Sequence, residues 1–383
     1  MRIGLTIAEF DPHRGGAEAW TSQYAENLAR RGHEVHVLAA KFDNRAARSR
    51  VTVHAVPAAR SRLALAKTFD DILASFHLDV IHDMGVGCHC DVFQPHGGSR
   101  AAATRQNLLK LPAWRAGWKQ VFDAISPRHR EFKRLDRQQY ARDGRVWIAL
   151  SQMVAEDFQR LHEVSHADIR LVYNGVDVER FSPHQAVQQR DEIRARLTAH
   201  DKLVLLLVAH NFELKGVPAA IRATGRLRKL GLPAQLVIVG GKKTPARYQK
   251  LAASAGAEGA VTFVGAVRDS LPYYGAADIY LHPTWYDPCS LVVLEALACG
   301  LPVITTRYNG AGELICPGQE GFVLQHPNDV ETIVRHVLDM NDVERRDQMS
   351  KLARALALEH TLERNVGEME AVYEERGQQR RAA

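Results

Sequence analysis

In this chain, short apolar runs alternate with helical stretches, stop, and then begin again. That pattern restricts the possible folds more than any other feature of the sequence. Residues 2–8, 34–40, 51–56 and 80–82 read as strands, with helical periodicity over 17–30 and 63–76 between them. Residues 145–150 give a further strand, and Ser151 is placed to cap a helix over 153–161. Strands alternating with helices of this length indicate parallel βαβ units in a doubly wound sheet. The pattern breaks at Leu171-Val172-Tyr173-Asn174-Gly175-Val176-Asp177 and Phe181-Ser182-Pro183. It restarts at 203–208, a continuous apolar run of the kind found in a strand covered on both faces. Further helices are expected over 217–229, 248–255, 271–276, 330–340 and 345–359, and strands over 235–239, 261–264, 279–282 and 302–305. The expected fold class is α/β, with two Rossmann-like, doubly wound parallel-sheet domains facing across a cleft. They would span 1–173 and 174–360. Residues 361–383 would form a last helix, over about 362–376, and a frayed polar tail.

With 383 residues, 46% hydrophobic and 25% charged, the chain has ordinary globular composition and room for two domains. No apolar run approaches the length needed to span a bilayer, and the first residues read as a strand and not as a signal peptide. The five cysteines are odd in number and scattered, which predicts reduced thiols and a cytoplasmic location. Cys88-His89-Cys90, with His82 and His96 nearby, fits no common structural zinc spacing, so no metal site is expected. Residues 100–145 hold twelve basic and four acidic side chains, an excess of eight against +6 for the whole chain. The field of the protein is therefore dominated by this segment.

Asp287-Pro288-Cys289-Ser290-Leu291-Val292-Val293-Leu294-Glu295 carries the most chemistry. Ser290 is a plausible cap for an apolar helix over 291–298, whose free N–H groups would favour an anion. A carboxylate within such a helix is costly to bury without partners. One short element could therefore offer N–H groups to a phosphate and a carboxylate to hydroxyls, the two features of a nucleotide-sugar. The stretch resembles the signature of the retaining glycosyltransferases of family 4, which have the two-domain GT-B fold. The match continues through Leu301-Pro302-Val303-Ile304-Thr305 and Asn309-Gly310-Ala311-Gly312-Glu313. Asp287 stands where those enzymes usually carry Glu, and Ser290 where Gly is common.

The resemblance implies roles for further residues. Asp287 would face the donor sugar and Glu295 would hold the ribose hydroxyls. Cys289, Ser290 and Leu291 would form the donor-binding turn before the helix. Gly15-Gly16, after the first strand, would pack against the donor. Those glycines do not belong to a Gly-x-Gly-x-x-Gly motif, which lowers the prospect of a nicotinamide enzyme. His96, in Gln94-Pro95-His96-Gly97-Gly98, would touch the donor sugar at the reaction centre. His210-Asn211-Phe212-Glu213-Leu214-Lys215-Gly216 matches the loop whose Lys, with an Arg, holds the diphosphate. Lys215 is present and the Arg is not, leaving His210 or Arg268 as substitutes. Phe263-Val264-Gly265 with Arg268 resembles the loop that packs the nucleotide base, and Asn174-Gly175-Val176-Asp177 the link between domains. The last helix would return to the first domain, as it does in relatives.

The implied activity is metal-independent transfer of a hexose from a nucleoside-diphosphate sugar, with a UDP-sugar favoured and no cofactor. The acceptor would be a hydroxyl of a saccharide or a lipid-linked saccharide. The layout and the basic segment look most like the lipopolysaccharide core glucosyltransferases. Within that segment Trp114, Trp118, Val121 and Ile125 fall at helical spacing beside Arg115 and Lys119, and Arg130, Lys133, Arg134 and Arg137 form a second face. Tryptophan with basic residues on one amphipathic helix favours an anionic bilayer surface, and the opposing reading is a core-packed Trp pair beneath a solvated face. The chain would then sit peripherally on the inner face of the plasma membrane. No nucleic-acid-binding signature accompanies the charge. A nucleotide-sugar epimerase of the same fold, or a catalytically weak nucleotide-sugar-binding scaffold, are the alternatives.

Overall fold

The computed structural model describes residues 1–43, 50–241 and 246–382, which divide into two compact units. The first comprises Met1–Tyr173 and Glu363–Ala383, the second Asn174–Leu362.

The first unit is built on a seven-stranded sheet. Its strands are β1 (Arg2–Phe10), β2 (Glu34–Phe42), β3 (Val51–Ala55), β4 (Val80–Asp83), β5 (Val92–Phe93), β6 (Val146–Ala149) and β7 (Ile169–Leu171). They lie in the order β3-β2-β1-β4-β5-β6-β7, all parallel. Helices α1 (Gly16–Arg30), α2 (Arg62–Leu73), α3 (Arg100–Leu109), α4 (Ala113–Ile125), α5 (Pro127–Gln139) and α6 (Gln152–His162) connect them. Ser61, Ser99 and Ser151 each cap a helix by accepting a backbone N–H, from Ala64, Ala102 and Val154. β5 and β7 are only two and three residues long, too short for sequence periodicity to register.

The second unit holds six strands: β8 (Leu203–Val208), β9 (Ala234–Val239), β10 (Val261–Gly265), β11 (Ile279–His282), β12 (Val303–Thr306) and β13 (Gly321–Leu324). Their order is β10-β9-β8-β11-β12-β13, again all parallel. The helices are α7 (Pro183–Ala186), α8 (Arg190–Arg196), α9 (Val217–Lys229), α10 (Ala246–Ala255), α11 (Leu271–Ala276), α12 (Leu291–Ala298), α13 (Val330–Asp339) and α14 (Val343–Glu359). Leu203, Val204, Leu205, Leu206 and Leu207 are all buried, as a strand covered on both faces requires. Each such side chain contributes roughly 1.5–3 kcal/mol by leaving water.

The last helix, α15 (Leu362–Ala382), belongs almost wholly to the first unit. Glu370 accepts from Arg31, Arg170 pairs with Glu375, and Asn365 donates to the carbonyl of Tyr173 at 2.6 Å. The helix runs through Ala382, whereas a frayed tail from residue 378 was expected, because no proline or glycine follows Gly377 to stop it.

Candidate active site

In both sheets the strand order reverses beside the first strand, between β1 and β4 and between β8 and β11. Loops leaving the carboxyl ends of such strands flank the crevice where α/β sheets bind ligands. In the second unit those loops are 209–216 and 283–290.

The two loops are tied together. The carbonyl of Leu214 accepts the N–H of Trp285 at 2.9 Å and the hydroxyl of buried Thr284 at 3.1 Å. Gly216 has φ +73, and a Cβ there would overlap the carbonyl oxygen of Pro283, so only glycine permits this approach. Asp287 is fixed through its backbone. Its N–H donates to Tyr308 and its carbonyl accepts from Gly310, both at 2.9 Å. Asn174 donates to the carbonyl of Cys289 at 2.8 Å, so the linking segment steadies the same turn.

The Lys215 ammonium consequently pairs with Asp287 Oδ2. His282 Nε2 lies 3.5 Å from that oxygen, and the imidazole is fully buried. Burial alone would raise the pKa of Asp287, but Lys215 and the His282 hydrogen bond outweigh it and hold the carboxylate below its usual range. Burial lowers the pKa of His282, opposed by its bond to Asp287 and assisted by the Lys215 charge. Asp287 is therefore ionised and the imidazole neutral at ordinary pH.

Ser290 occupies the N-cap position of α12, but its side chain makes no cap bond. The expected cap is corrected. The buried carboxamide of Asn309 takes the Ser290 N–H at 3.2 Å, while the Ser290 hydroxyl sits 3.5 Å from His282. No side-chain oxygen caps α12, and Leu291 is its first residue. Its N-terminal dipole is thus left for an anion. Cys289 is buried, and burial drives its thiol pKa upward, so its contribution is backbone. Within the helix Glu295 accepts from Tyr274 at 2.7 Å. Burial raises the Glu295 pKa and this bond opposes the rise.

His210 and Asn211 are exposed at the head of the Lys215 loop. Asn211 spends its Oδ1 on the N–H of Leu214 at 3.1 Å, shaping the turn that leads to the lysine. Val264 is half-buried in β10. Arg268 is exposed just beyond it, in a hollow of about 390 Å³ that Glu192, Arg196 and Tyr273 also line. Among the described residues, no hydrogen bond or ion pair joins His210 or Arg268 to the Lys215–Asp287 pair.

The first unit has its own cluster. Gly15 is the extended N-cap of α1, with no side chain to close the helix end, and Gly16 opens the helix. Asp83, the last residue of β4, is fully buried and accepts from Thr6 Oγ1 and from the N–H groups of Gly85, Val86 and Gly87 at 2.6–2.7 Å. The His96 imidazole meets the Trp20 ring edge-on at 4.7 Å, and its Nε2 is buried without a partner among the described residues. Burial lowers the His96 pKa to about 4, leaving the ring neutral. Cys88 Sγ lies 3.6 Å from Gln138, Cys90 Sγ lies 3.6 Å from Arg145, and no metal-binding group of three His, Cys, Asp or Glu forms among the described residues.

The sequence reading missed His282, Asp83, Thr284 and Tyr274. The first two were signalled by a titratable side chain closing an otherwise apolar strand; Thr284 and Tyr274 left no signal distinct from ordinary loop and helix residues.

Two all-parallel, doubly wound sheets make this a GT-B-type fold, which solved structures share. A crystal structure of WaaG, a glycosyltransferase involved in lipopolysaccharide biosynthesis, superposes with a TM-score of 0.79 at 21% identity, over 97% of this chain and 98% of that one. HepE of Anabaena, crystallised with UDP and glucose, superposes with a TM-score of 0.70 at 19% identity over 97% and 98%. In sequence, residues 14–180 match the family described as Glycosyltransferase Family 4, and residues 189–356 match Glycosyl transferases group 1. The chain belongs to the family-4 glycosyltransferases. It is 26% identical to a GDP-mannose-dependent alpha-(1-6)-phosphatidylinositol monomannoside mannosyltransferase of Mycolicibacterium smegmatis over 93% of this chain and 94% of that protein. It is 26% identical to the lipopolysaccharide glucosyltransferase WaaG of Escherichia coli over 55% and 56%.

Proposed function

We propose that the protein is a retaining glycosyltransferase that moves a hexose from a nucleoside-diphosphate sugar to a hydroxyl of a saccharide or glycolipid acceptor in cell-envelope, lipopolysaccharide-type synthesis. The observation that carries this reading is the Lys215–Asp287 pair at the reversal of the second sheet, beside the uncapped start of α12. Transfer breaks the bond between the anomeric carbon and the diphosphate and forms one to the acceptor oxygen on the same face. The acceptor's proton passes to the departing phosphate. Lys215 and the N–H groups of Cys289 and Leu291 neutralise the diphosphate as charge develops on it. Asp287, already ionised, accepts sugar hydroxyls. Glu295, with one oxygen on Tyr274, offers the other to the ribose. The family resemblance also assigns His96 and the Gly15-Gly16 turn of the first unit to the donor. UDP is the favoured nucleotide, in keeping with the UDP complex of HepE, and transfer needs neither metal nor cofactor.

The donor reading is tested by incubating the protein with UDP-, GDP- and ADP-sugars. One donor should be hydrolysed slowly, and Lys215→Ala and Glu295→Gln should suppress that hydrolysis. Binding without turnover under any acceptor would leave a scaffold instead.

The acceptor side points to a membrane. None of the described side chains of α4 is buried, and Trp114, Trp118, Phe122 and Ile125 are 63–66% exposed. The tryptophans thus do not pack into a core. Basic Arg115 and Lys119 share the helix, and Arg130, Lys133, Arg134 and Arg137 are exposed on α5. Such a surface suits anionic lipid on the inner face of the plasma membrane. No helix among the described residues is long and apolar enough to cross a membrane. Co-sedimentation with phosphatidylglycerol vesicles should exceed that with phosphatidylcholine and weaken with salt, and indifference to both removes this part of the reading.

A further inference from the structure

The last helix does more than close the first unit. Tyr373 of α15 is fully buried, and its hydroxyl lies 2.6 Å from His82 Nδ1 and 2.6 Å from the Tyr24 hydroxyl. His82 is neutral, its pKa lowered to about 3 first by burial and then by the neighbouring His96. Its Nδ1, the Tyr373 hydroxyl and the Tyr24 hydroxyl form one hydrogen-bonded chain. Tyr24 in turn stacks on Trp20, centroid to centroid 4.6 Å at 11°, and the two residues are four apart on the inner face of α1. The edge of Trp20 meets His96 at 4.7 Å. Trp20, Tyr24, His82 and Tyr373 are each at most 2% exposed, so a displaced ring has no free volume to enter and passes its shift to the next one.

We propose that Tyr373 is a positioning residue: through Tyr24 and Trp20 it sets the orientation of the His96 imidazole, whose Nε2 has no hydrogen-bond partner among the described residues. The residues at the two ends of the relay lie 277 positions apart in sequence, and a helix contributed by the C-terminus thereby reaches the imidazole assigned to the donor. The catalytic consequence rests on the glycosyl-transfer reading above. The geometric one does not.

Tyr373→Phe removes one hydroxyl and keeps the ring. In the full chain labelled with 15N-histidine, the His96 signals are those that vanish in His96→Ala. They should shift in Tyr373→Phe, and likewise in Tyr24→Phe, which cuts the same relay one ring earlier should the first variant fold poorly. Donor turnover in Tyr373→Phe should fall by about tenfold, with KM changed by less than about twofold, as expected for a group misplaced at the reaction centre. The double variant Tyr373→Phe/His96→Ala should be no slower than His96→Ala alone. His96 signals that coincide with wild type in both phenylalanine variants overturn the proposal, as does a double variant in which the two losses multiply. If the wild-type protein turns over no nucleotide-sugar at all, the transfer reading fails, and the imidazole shifts still decide whether Tyr373 positions His96.

Discussion

β4 and β11 hold the same place in the two sheets, each beside the first strand of its unit, and each ends on a buried titratable residue. They handle it in opposite ways. Asp83 closes β4 and is satisfied by N–H groups of its own following loop and by Thr6, so the charge serves the loop's shape. His282 closes β11 and supports a carboxylate five residues further on, whose other partner is a lysine from a different loop. Beside β4, Trp20, Tyr24, His82 and His96 form a neutral aromatic cluster, while Asp83 itself has Asp70 and the Arg145 charge near it. Around His282 the neighbours form an ion pair. One unit presents a pre-shaped neutral wall, the other a charge pair that an anion can re-partner. On the proposed reading, the same fold position yields a surface to orient a sugar in one unit and a surface to receive a diphosphate in the other.

The sharpest way to break this contrast is to remove the cation. Lys215→Ala leaves Asp287 largely buried and without its lysine, which costs stability as well as activity. Breaking a fully buried pair costs about 3–5 kcal/mol, and the partial exposure of both groups here reduces that to roughly 2 kcal/mol. Donor turnover should fall by about 10²–10³, the scale for losing one group that stabilises a leaving anion. His96→Ala strands no charge, so its unfolding midpoint should move far less at a comparable loss of turnover. Paired denaturant melts and initial rates compare the two, and equal stability losses would erase the distinction between a charged and a neutral wall.

Glycines sharpen it next. Gly216→Ala must fit a Cβ against the Pro283 carbonyl at φ +73, in the loop that delivers Lys215. We expect a loss of roughly 2–4 kcal/mol, from backbone strain together with the broken tie between loops. Gly97→Ala, next to His96, meets nothing within 4 Å and needs no positive φ, so the change should stay within about 0.5 kcal/mol. Equal melts for the two would mean that loop closure in the second unit is not set by that glycine.

The same contrast explains what the sequence revealed. In the second unit, β8, α9, α11, β11 and α12 were legible to the residue, because apolar strand runs and the helical periodicity between them, punctuated by Gly, Pro and Asp, leave few alternatives. Glu295 was legible as a carboxylate where burial is costly, and Lys215 and Asp287 stood out through the family resemblance of their motifs. What escaped was the partner set. Nothing local in the sequence says that Asn309, nineteen positions after Ser290, would take the Ser290 N–H, or that Tyr274 would reach Glu295. Those pairings are fixed by parallel register between strands, which periodicity does not encode. In the first unit β5 and β7 are too short to read, and the Tyr24–Tyr373 contact spans nearly the whole chain.

Acid provides the mildest and most general test. The folded-state pKa values of His82, His96 and His162 are depressed to about 3, 4 and 4. That of His54 is lowered as well, by burial and by His36. All four lie in the first unit. An unfolded histidine titrates near 6.5, so between that value and the folded pKa the unfolded chain binds more protons. Stability from these groups is therefore complete above about pH 6.5 and drains as pH falls toward 4, by up to roughly 1.4 kcal/mol per pH unit for each histidine. In the second unit, among the described residues, His282 and His336 are lowered. The stabilisation of ionised Asp287 is present above about pH 4 and is lost only below it, as pH falls toward its depressed pKa. The raised carboxyls of Asp83 and Asp136 in the first unit, and of Glu295 in the second, act in the opposite sense, binding protons earlier when folded. Hydrogen exchange followed by mass spectrometry from pH 7 to 4.5, corrected for intrinsic rates, should show β1, β4 and α1 losing protection before β8, β11 and α12. Lys215→Ala should leave the pH at which the first unit loses protection unchanged, while lowering protection of the second unit across the whole range. Loss of protection in the second unit first, or in both together only below pH 4, would mean that the neutral histidines do not set the acid limit of the wall they build.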